Sequence, residues 1–315
     1  MLNIERKNLP LVSVVITTKN EEKNIETCIK SIKCQTYPNI EIIVVDNNSD
    51  DKTKVLAKKY TKLVFNKGPE RSTQRNYGMI DKSGGKYVMF IDCDMVLSPN
   101  LIKECAKEIE KNKEVALHIP EIVLGSKFWS KVRCFERTFY NGTVIDGARF
   151  FDKRIFKKVG GFDESMSGPE DWDIDKKMKQ QGQIGLINAR ENIGKWPLRT
   201  FISKRGINPT KFGVSIYHNE AEFDLKKYLQ KKGYYATSFD NYINKWGKSD
   251  PDIKKQLGLV YRYFGVFVEK GKWLKLCAHP FLALGMMYLR LSVGMKFLLR
   301  KKPGEAENPY KKPRV

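Results

Sequence analysis

Two aspartates spaced by one residue, Asp92 and Asp94, follow directly after the apolar run 87–91. An apolar run of this length, preceded by the glycine-containing breaker at 83–85, predicts a buried strand. Ligands of open α/β sheets bind just beyond the carboxyl ends of the strands, so the two carboxylates would face a ligand. Oxygen ligands of this kind suit Mg²⁺ or Mn²⁺ ions that also share a phosphate group. A solvated strand end is the alternative interpretation of the Asp-x-Asp pattern alone.

A second acidic pair, Glu170 and Asp171, follows Pro169 at the predicted start of a helix. The helix dipole stabilises acidic side chains in the first turn of a helix, which is a purely structural explanation for the pair. The functional interpretation is that one of the two carboxylates removes a proton from an acceptor as a general base. The residues themselves leave both interpretations open.

These acidic residues need a scaffold, and the first hundred residues show a regular alternation of strand and helix patterns. In the first helical pattern, 25–32, apolar residues recur at i, i+3, i+4 and i+7. The alternation predicts an α/β fold with a mostly parallel sheet flanked by helices. The turn from Thr17 to Asn20 has no glycine, which argues against a nicotinamide enzyme, and the chain has no P-loop motif. The predicted strands lie at 11–18, 40–45, 62–65 and 86–91.

The chain of 315 residues carries a formal charge of +22, so we expect an anionic partner such as a membrane surface, a phosphorylated substrate or nucleic acid. From Glu220 onward there are 20 basic and 9 acidic residues. The acidic pairs would repel a polyanion, which argues against nucleic acid. The six cysteines form no Cys-x-x-Cys pair and are expected to be reduced. The polar N-terminal segment carries no secretory signal pattern, which predicts a cytosolic catalytic part.

The run 281–299 is apolar and reaches the roughly 20 residues needed to cross a membrane. Arg290 and Lys296 interrupt it, and a charge near the centre of a bilayer costs several kcal/mol. If 272–301 were one helix, its basic residues would share one arc. We therefore expect an amphipathic segment on the cytoplasmic face of the cell membrane, with its basic groups on anionic headgroups. A single span and a packed helical pair are the alternatives.

The ordered motifs of this chain resemble those of the family 2 inverting glycosyltransferases. Their order makes the resemblance specific over roughly 10–220. It implies a GT-A fold, a nucleotide-sugar donor and a divalent metal ion, Mn²⁺ or Mg²⁺. The motifs are the first strand and turn at 10–21, Cys-Gln-Thr-Tyr-Pro at 34–38, the acidic strand end at 41–50, Arg-Asn-Tyr-Gly at 75–78 and Asp-Cys-Asp at 92–94.

The resemblance also implies roles for individual residues. Asp171 would be the catalytic base, with Glu170 beside it, and Asp94 and His218 would hold the metal ion. The residues that would bind the nucleotide sugar are Thr17, Asn20, Asp46, Arg75 and Asp92. Structural alternatives stay open, since Asp46 could cap the following helix and Arg75 could be a surface cation.

The sequence thus predicts a metal-dependent, inverting transfer of a sugar from a UDP- or GDP-linked donor to an oxygen of a lipid-linked or glycan acceptor. Residues 1–219 would form the GT-A domain, and 220–302 would form a basic, aromatic, helical extension associated with the membrane. Residues 303–315 would be a disordered basic tail. The alternatives are a nucleic-acid-binding protein and an inactive glycosyltransferase-like scaffold.

Overall fold

Two sheets form the centre of the protein, whose computed structural model describes residues 9–299. The strands are β1 (Val12–Thr18), β2 (Ile40–Asp46), β3 (Val64–Asn66), β4 (Tyr87–Asp92), β5 (Met95–Leu97), β6 (Ala116–His118), β7 (Glu121–Leu124), β8 (Ala148–Asp152), β9 (Ile184–Leu186) and β10 (Ile216–Asn219). The larger sheet has seven strands in the order β3-β2-β1-β4-β8-β6-β9. The smaller sheet has three, in the order β5-β10-β7.

Fourteen α-helices cover the sheets and build the C-terminal part within the described residues. The helices before residue 220 are α1 (Ile25–Lys33), α2 (Thr53–Lys58), α3 (Arg71–Asn76), α4 (Leu101–Asn112), α5 (Phe128–Arg137), α6 (Lys153–Lys158), α7 (Glu170–Lys179) and α8 (Arg199–Ser203). The later ones are α9 (Leu225–Ala236), α10 (Phe239–Trp246), α11 (Pro251–Leu257), α12 (Val266–Val268), α13 (Leu274–Ala278) and α14 (Pro280–Leu298). Two π-helical turns, Tyr77–Lys82 and Tyr261–Gly265, and two 3₁₀ turns, Pro209–Lys211 and Glu269–Gly271, complete them.

Strands β1 to β4 run parallel, as the alternation of strand and helix patterns predicts. All seven residues of β1 are buried, which explains why six of them are β-branched. Thr17 of β1 lies opposite Asp92 of β4, and Thr18 lies opposite Asp46 of β2. The carboxyl ends of these strands therefore meet at one edge of the sheet. Beyond them β8 is antiparallel to β4 and β6, so the sheet is mixed.

The smaller sheet brings distant parts of the chain to the same edge. Strand β10 pairs antiparallel with β5, placing His218 opposite Met95 and therefore next to Asp94. On its other side β10 runs parallel to β7, which begins at Glu121. This pairing positions His218 beside the end of β4, although more than 120 residues separate them in the sequence.

The C-terminal extension packs on α5 through an apolar cluster. Met286 and Leu289 of α14 are buried against Val132 and Phe135 of α5. Helix α13 ends at Ala278 and α14 starts at Pro280, so 272–301 is not one helix. Arg290 points inward, is 5% exposed, and its Nε lies 3.3 Å from Glu136 Oε1. The expectation that Arg290 faces lipid headgroups is wrong, because α14 turns that side toward α5.

The outer face of α14 is apolar, with large side chains spaced three and four residues apart. At 19 residues the helix is long and apolar enough to cross a membrane, and only 22% of its apolar stretch is buried in the protein. We call this face the apolar stripe. It comprises Phe281, Leu284, Tyr288, Leu291, Met295 and Leu298, all more than half exposed. The predicted tail, 303–315, lies outside the described residues, and the six cysteines are free thiols.

Candidate active site

A cavity of about 1460 Å³ opens at the edge of the large sheet where β1 and β4 end. Carboxylates from β4, from the start of α7 and from the loop after β4 all line it, and so does the β10 histidine. Seven of the nine predicted site residues line this one cavity: Thr17, Asn20, Arg75, Asp92, Asp94, Asp171 and His218. The two acidic clusters that the sequence places far apart therefore share one space.

Arg75 joins the two acidic clusters directly. Its Nη1 lies 2.9 Å from Asp171 Oδ1, and its Nη2 lies 3.3 Å from Asp92 Oδ1. The side chain is 1% exposed, and its guanidinium carbon lies 3.9 Å from the centre of the Phe90 ring. A planar group with a fork of donors is suited to hold two carboxylates at once. Arg75 is thus a buried cation at the centre of the site and not a surface residue.

The cationic neighbours of Asp92 keep its carboxyl group ionised. Burial by itself would raise the pKa of this carboxyl, but the guanidinium groups of Arg75, Arg71 and Arg149 outweigh burial and hold the pKa well below its usual range. The hydroxyl of Thr17 donates a hydrogen bond of 3.2 Å to Asp92 Oδ1. The end of β4 is therefore a fixed negative charge across the physiological pH range.

Asp171 reaches into the cavity from the first turn of α7. Its side chain is 33% exposed, and its Oδ2 accepts no hydrogen bond within residues 9–299, while Oδ1 is held by Arg75. Gly147 packs directly against it, since a β-carbon at Gly147 would lie 2.9 Å from Asp171 Cβ. One oxygen is thus fixed, and the other is available to accept a proton.

Asp94 and His218 form a pair that could hold a cation. His218 Nε2 lies 3.1 Å from Asp94 Oδ2, and its Nδ1 lies 3.0 Å from Glu121 Oε1. Burial alone would lower the pKa of His218, but Asp94 and Glu121 raise it well above its ordinary value. A carboxylate behind a histidine in this way fixes the orientation of the ring for metal binding.

The surroundings of Asp94 fit a cation. Asp94 Oδ1 is buried and accepts no hydrogen bond within the described residues. Burial, with Asp94 and Asp92 nearby, raises the pKa of Glu21 to about 7, although a hydrogen bond from Asn24 opposes the rise. Residues 9–299 contain no ready-made group of three or more metal ligands. An ion here would therefore need further oxygen ligands from a phosphate or from water, as Mg²⁺ and Mn²⁺ commonly take.

Asp46 lies behind the cavity wall and does not line it. It is fully buried, and its Oδ1 accepts a hydrogen bond of 2.7 Å from the amide of Ser49. The hydroxyl of Ser49 donates to Asp46 Oδ2 and accepts from the amide of Asn20 at 2.8 Å. Asp46 is not the cap of the following helix, whose N-cap is Lys52. Through Ser49, Asp46 therefore holds the turn after β1 that carries the cavity residue Asn20.

Glu170 also lies outside the cavity lining. Its Oε1 is 2.9 Å from Arg71 Nη2 and 3.7 Å from Arg75 Nη1, and its Oε2 accepts from the amide of Gly168. The side chain is 2% exposed. In this position Glu170 holds the two arginines in place, while its neighbour Asp171 faces the cavity.

Sequence reasoning missed a group of buried charges under the site. Arg149 Nη2 and Arg137 Nη2 both bind Glu121 Oε2, at 2.9 and 3.1 Å. Arg149 Nη1 and Arg137 Nε are buried without a hydrogen-bond partner in residues 9–299. Both arginines line the cavity, so donors that lack partners are close to the carboxylates. The only signal in the sequence is a single arginine inside the apolar strand Ala148–Asp152.

This chain resembles known sequences over about half of its length. An uncharacterized glycosyltransferase of Rickettsia typhi is 29% identical over 183 residues, which cover 52% of this chain and 57% of the relative. The beta-monoglucosyldiacylglycerol synthase of Nostoc sp. is 27% identical over 181 residues, which cover 50% of this chain and 39% of the synthase. The chain therefore spans little more than half the length of the first relative and less of the second.

Comparison with solved structures addresses the fold. A mannosyltransferase from Pyrobaculum calidifontis, solved in complex with GDP-Man and Mn²⁺, has a TM-score of 0.57 with this chain at 16% identity. The likeness covers 93% of this chain and 88% of the mannosyltransferase. At this identity it establishes the fold alone and confirms the predicted GT-A architecture. Residues 13–162 match the model of glycosyl transferase family 2.

Proposed function

We propose that the protein transfers a sugar from a UDP- or GDP-linked donor to an acceptor oxygen, with inversion, at a membrane and with a bound Mn²⁺ or Mg²⁺ ion. The observation that carries this proposal is that Asp94 and Asp171 line one cavity and are linked through Asp92 and Arg75. A base and a cation site facing one space can act on the two ends of the same bond. The proposed donor domain comprises 1–219.

The donor diphosphate has cationic partners in this cavity. Arg75 Nε, Arg149 Nη1 and Arg137 Nε are buried donors without a partner in the described part of the chain. An arginine donor forms a strong, charge-assisted hydrogen bond with a phosphate oxygen. The mannosyltransferase neighbour is bound to GDP-Man, which supports a nucleotide-sugar donor here. Thr17 and Asn20 would contact the nucleotide from the turn after β1, with Asp46 supporting that turn.

Asp94 and His218 would hold the metal ion, with Glu121 fixing the histidine. A bound divalent ion would supply a Lewis acid that neutralises the charge developing on the diphosphate. The unpartnered Asp94 Oδ1 supports this assignment. The neighbour from Pyrobaculum calidifontis contains Mn²⁺, which favours the same class of ion.

Asp171 would act as the general base. Its Oδ2 would take the proton of the acceptor hydroxyl while the acceptor oxygen forms a bond to the anomeric carbon of the sugar. The bond from that carbon to the donor phosphate breaks, and its electron pair leaves with the nucleoside diphosphate. Attack on the face opposite the leaving group inverts the anomeric configuration. Arg75 keeps Asp171 oriented by holding Oδ1, and Glu170 steadies Arg71 and Arg75 behind it.

The extension from residue 220 onward would place the enzyme on a membrane. The apolar stripe of α14 exposes large apolar side chains to solvent, and exposed patches of this kind mark interaction surfaces. A relative is named as the synthase of a glucosylated diacylglycerol, a lipid product, which supports a lipid-linked acceptor. The positive charge of the chain suits an anionic cytoplasmic membrane surface.

A thermal-shift series with UDP and GDP, each with and without Mn²⁺, tests the donor and metal assignments together. A ligand at 100 times its dissociation constant stabilises the protein by about 2.7 kcal/mol. We expect one nucleotide to raise the melting temperature only when Mn²⁺ is present, and Asp94→Ala to abolish the shift. Asp81→Ala, an exposed carboxylate outside the cavity, is the matched control and should keep the shift. An equal shift without cation would contradict the metal assignment.

A further inference from the structure

The cavity continues from the donor residues into a second half formed by α5, α9, the turn Tyr261–Gly265 and α14. Besides Arg137, which pairs with Glu121 and Asp146, this half has five basic side chains against two carboxylates. We call it the cationic half. Its basic residues are Arg133, Lys231, Lys232, Arg262 and Arg290, and its carboxylates are Glu136 and Glu220.

Both carboxylates are already engaged. Arg133 Nη1 lies 2.6 Å from Glu136 Oε2, and Arg133 Nη2 lies 3.3 Å from Glu220 Oε1. Arg290 Nε lies 3.3 Å from Glu136 Oε1. The two carboxylates therefore pair with Arg133 and Arg290, and among residues 9–299 neither lies within 4.0 Å of Lys232 or Arg262.

Lys232 and Arg262 lack such a partner. Among residues 9–299 neither has a carboxylate within 4.0 Å, and the Lys232 ammonium instead lies over the rings of Tyr228 and Tyr235, at 5.3 and 5.9 Å. Burial, with Arg133 and Lys231 nearby, lowers the pKa of Lys232 to about 7. Burial also lowers the pKa of Arg262. Cations held in this way are stabilised by any anion that enters the cavity.

Six apolar side chains line the cavity and are also largely exposed to solvent, and we call them the apolar mouth. Leu259, Val260 and Phe264 are 70%, 78% and 69% exposed. The other three, Leu291, Met295 and Leu298, belong to the apolar stripe of α14. An apolar chain could therefore lie in the mouth while a charged group reaches the cations inside.

We propose that the cationic half binds the acceptor as a lipid phosphate, with its phosphate between Lys232 and Arg262 and its chain leaving through the apolar mouth. A phosphate monoester carries up to two negative charges and three acceptor oxygens, so one group can satisfy two cations that lack partners. A carboxylate or an uncharged lipid would leave part of this charge unmatched. The assignment of this ligand as the acceptor rests on the proposed transferase function.

One aromatic ring connects this site to Arg71 and Glu170, beside the proposed donor residues. The Tyr235 ring centre lies 5.9 Å from Lys232 Nζ and 5.0 Å from the guanidinium carbon of Arg71, which binds Glu170. Gly168 allows the close approach of α9, because a β-carbon there would lie 2.7 Å from Tyr235 Cβ. A phosphate held at Lys232 would thus lie one side chain away from the residues that surround Asp171.

Calorimetric binding of farnesyl phosphate to the full-length protein tests this site without requiring turnover. We expect the dissociation constant to rise at least about tenfold in Lys232→Gln and in Arg262→Gln, because each removes one charge-assisted contact. Lys226→Gln is the matched control, since Lys226 is an exposed lysine on the same helix outside the cavity, and it should bind like wild type. Lys232→Met serves as a second variant if Lys232→Gln does not fold.

Two further ligands separate the contribution of the phosphate group to binding from that of the apolar chain. Farnesol and inorganic phosphate should each bind at least about tenfold more weakly than farnesyl phosphate, since each supplies half of the interaction. If farnesol binds as tightly as farnesyl phosphate, the proposed phosphate site is wrong. If inorganic phosphate binds as tightly as farnesyl phosphate, the proposed binding of the lipid chain is wrong. Equal effects of Lys232→Gln and Lys226→Gln would show that the lysines only attract anionic headgroups, and would also overturn the proposal.

Hydrolysis of a nucleotide sugar in the absence of acceptor reports only on the proposed donor site and the catalytic residues. If wild type hydrolyses a donor while Lys232→Gln binds farnesyl phosphate normally, the acceptor site is wrong and the proposed function stands. If no donor is hydrolysed while binding of farnesyl phosphate still depends on Lys232, the proposed function fails and the lipid-phosphate site stands. The two claims therefore fail separately.

Discussion

Adding one methyl group at Gly147 tests whether the position of Asp171 sets the rate of transfer. The new β-carbon would lie 2.9 Å from Asp171 Cβ and 3.5 Å from Asp171 Cγ. Carbon atoms prefer a separation of about 3.5–4.0 Å, so the Asp171 β-carbon must retreat by roughly 0.6–1 Å, together with the backbone to which it is fixed. The backbone at Gly147 does not require a glycine, since its φ is not positive. The substitution therefore displaces the start of α7, and the Asp171 carboxylate with it, without forcing an unfavourable φ at residue 147.

The expected effect is on turnover and not on donor binding. The bond between Arg75 Nη1 and Asp171 Oδ1 is 2.9 Å and would stretch beyond normal hydrogen-bond length if Asp171 retreats by that amount. A misplacement of about 1 Å in a reacting group can cost roughly 100-fold in rate, or about 2.7 kcal/mol of barrier. We expect Gly147→Ala to lower the rate of sugar transfer by roughly 10- to 100-fold.

The assay compares steady-state transfer with donor binding measured by calorimetry. Gly233→Ala is the matched control, because Gly233 lies in α9 and an added β-carbon there meets nothing within 4 Å. It should keep the wild-type rate and stabilise the helix by about 0.5–1 kcal/mol. A wild-type rate in Gly147→Ala would refute the claim that Asp171 must occupy its observed position.

Three further outcomes are expected. Arg75→Lys should lower the free energy of unfolding in urea by about 1–3 kcal/mol, because lysine cannot bridge Asp92 and Asp171 as a fork; unchanged stability would mean the bridge is unimportant. At pH 8, binding of farnesyl phosphate should be accompanied by the uptake of as much as one proton. The reason is that a pKa of about 7 leaves Lys232 mostly neutral in the free protein, and the bound anion raises that pKa. Calorimetry in two buffers measures the uptake, and Lys232→Gln should show none. The double variant Phe281→Gln with Leu284→Gln should weaken liposome binding at least about tenfold in a flotation assay. Each exposed apolar side chain contributes about 1.5–3 kcal/mol when it is buried in the membrane. Unchanged flotation would exclude the apolar stripe as the membrane contact.

The donor side of the site was predictable because it follows from local patterns and one rule of topology. The apolar run before Asp92 predicts a strand, and the alternation of strands and helices predicts that parallel strands end at one edge. Thr17 and Asp92 are indeed opposite each other in the β1–β4 register. The cavity position of Asp94 follows from the same edge.

Other features depend on contacts that no local pattern encodes. Asp46 and Glu170 sit in the same motifs as cavity residues, yet partners from the next turn and from α3 hold them outside the lining. Glu121 and Arg149 come from strands that only the folded sheets bring beneath the site. The sequence motifs predict which residues lie near the site. Whether a residue lines the cavity or is buried behind the lining depends on its hydrogen-bond and ion-pair partners.

The orientation of α14 shows the same limit. Treated as a lone helix, its basic residues suggest a face toward lipid headgroups. In the fold, Arg290 turns inward because α5 offers Glu136 there, and the opposite face is left apolar. Hydrophobic periodicity predicts that a helix has two unlike faces, but the neighbouring helix decides which one is buried.

The most direct test of the central claim is the rate of sugar transfer by Asp171→Asn, measured together with its affinity for the donor. An asparagine keeps the shape of the side chain but cannot accept a proton as a base. We predict a loss of roughly 10²- to 10⁴-fold in rate, with donor affinity within about twofold of wild type. A rate close to that of wild type would contradict the assignment of Asp171 as the base and the one-cavity mechanism built on it.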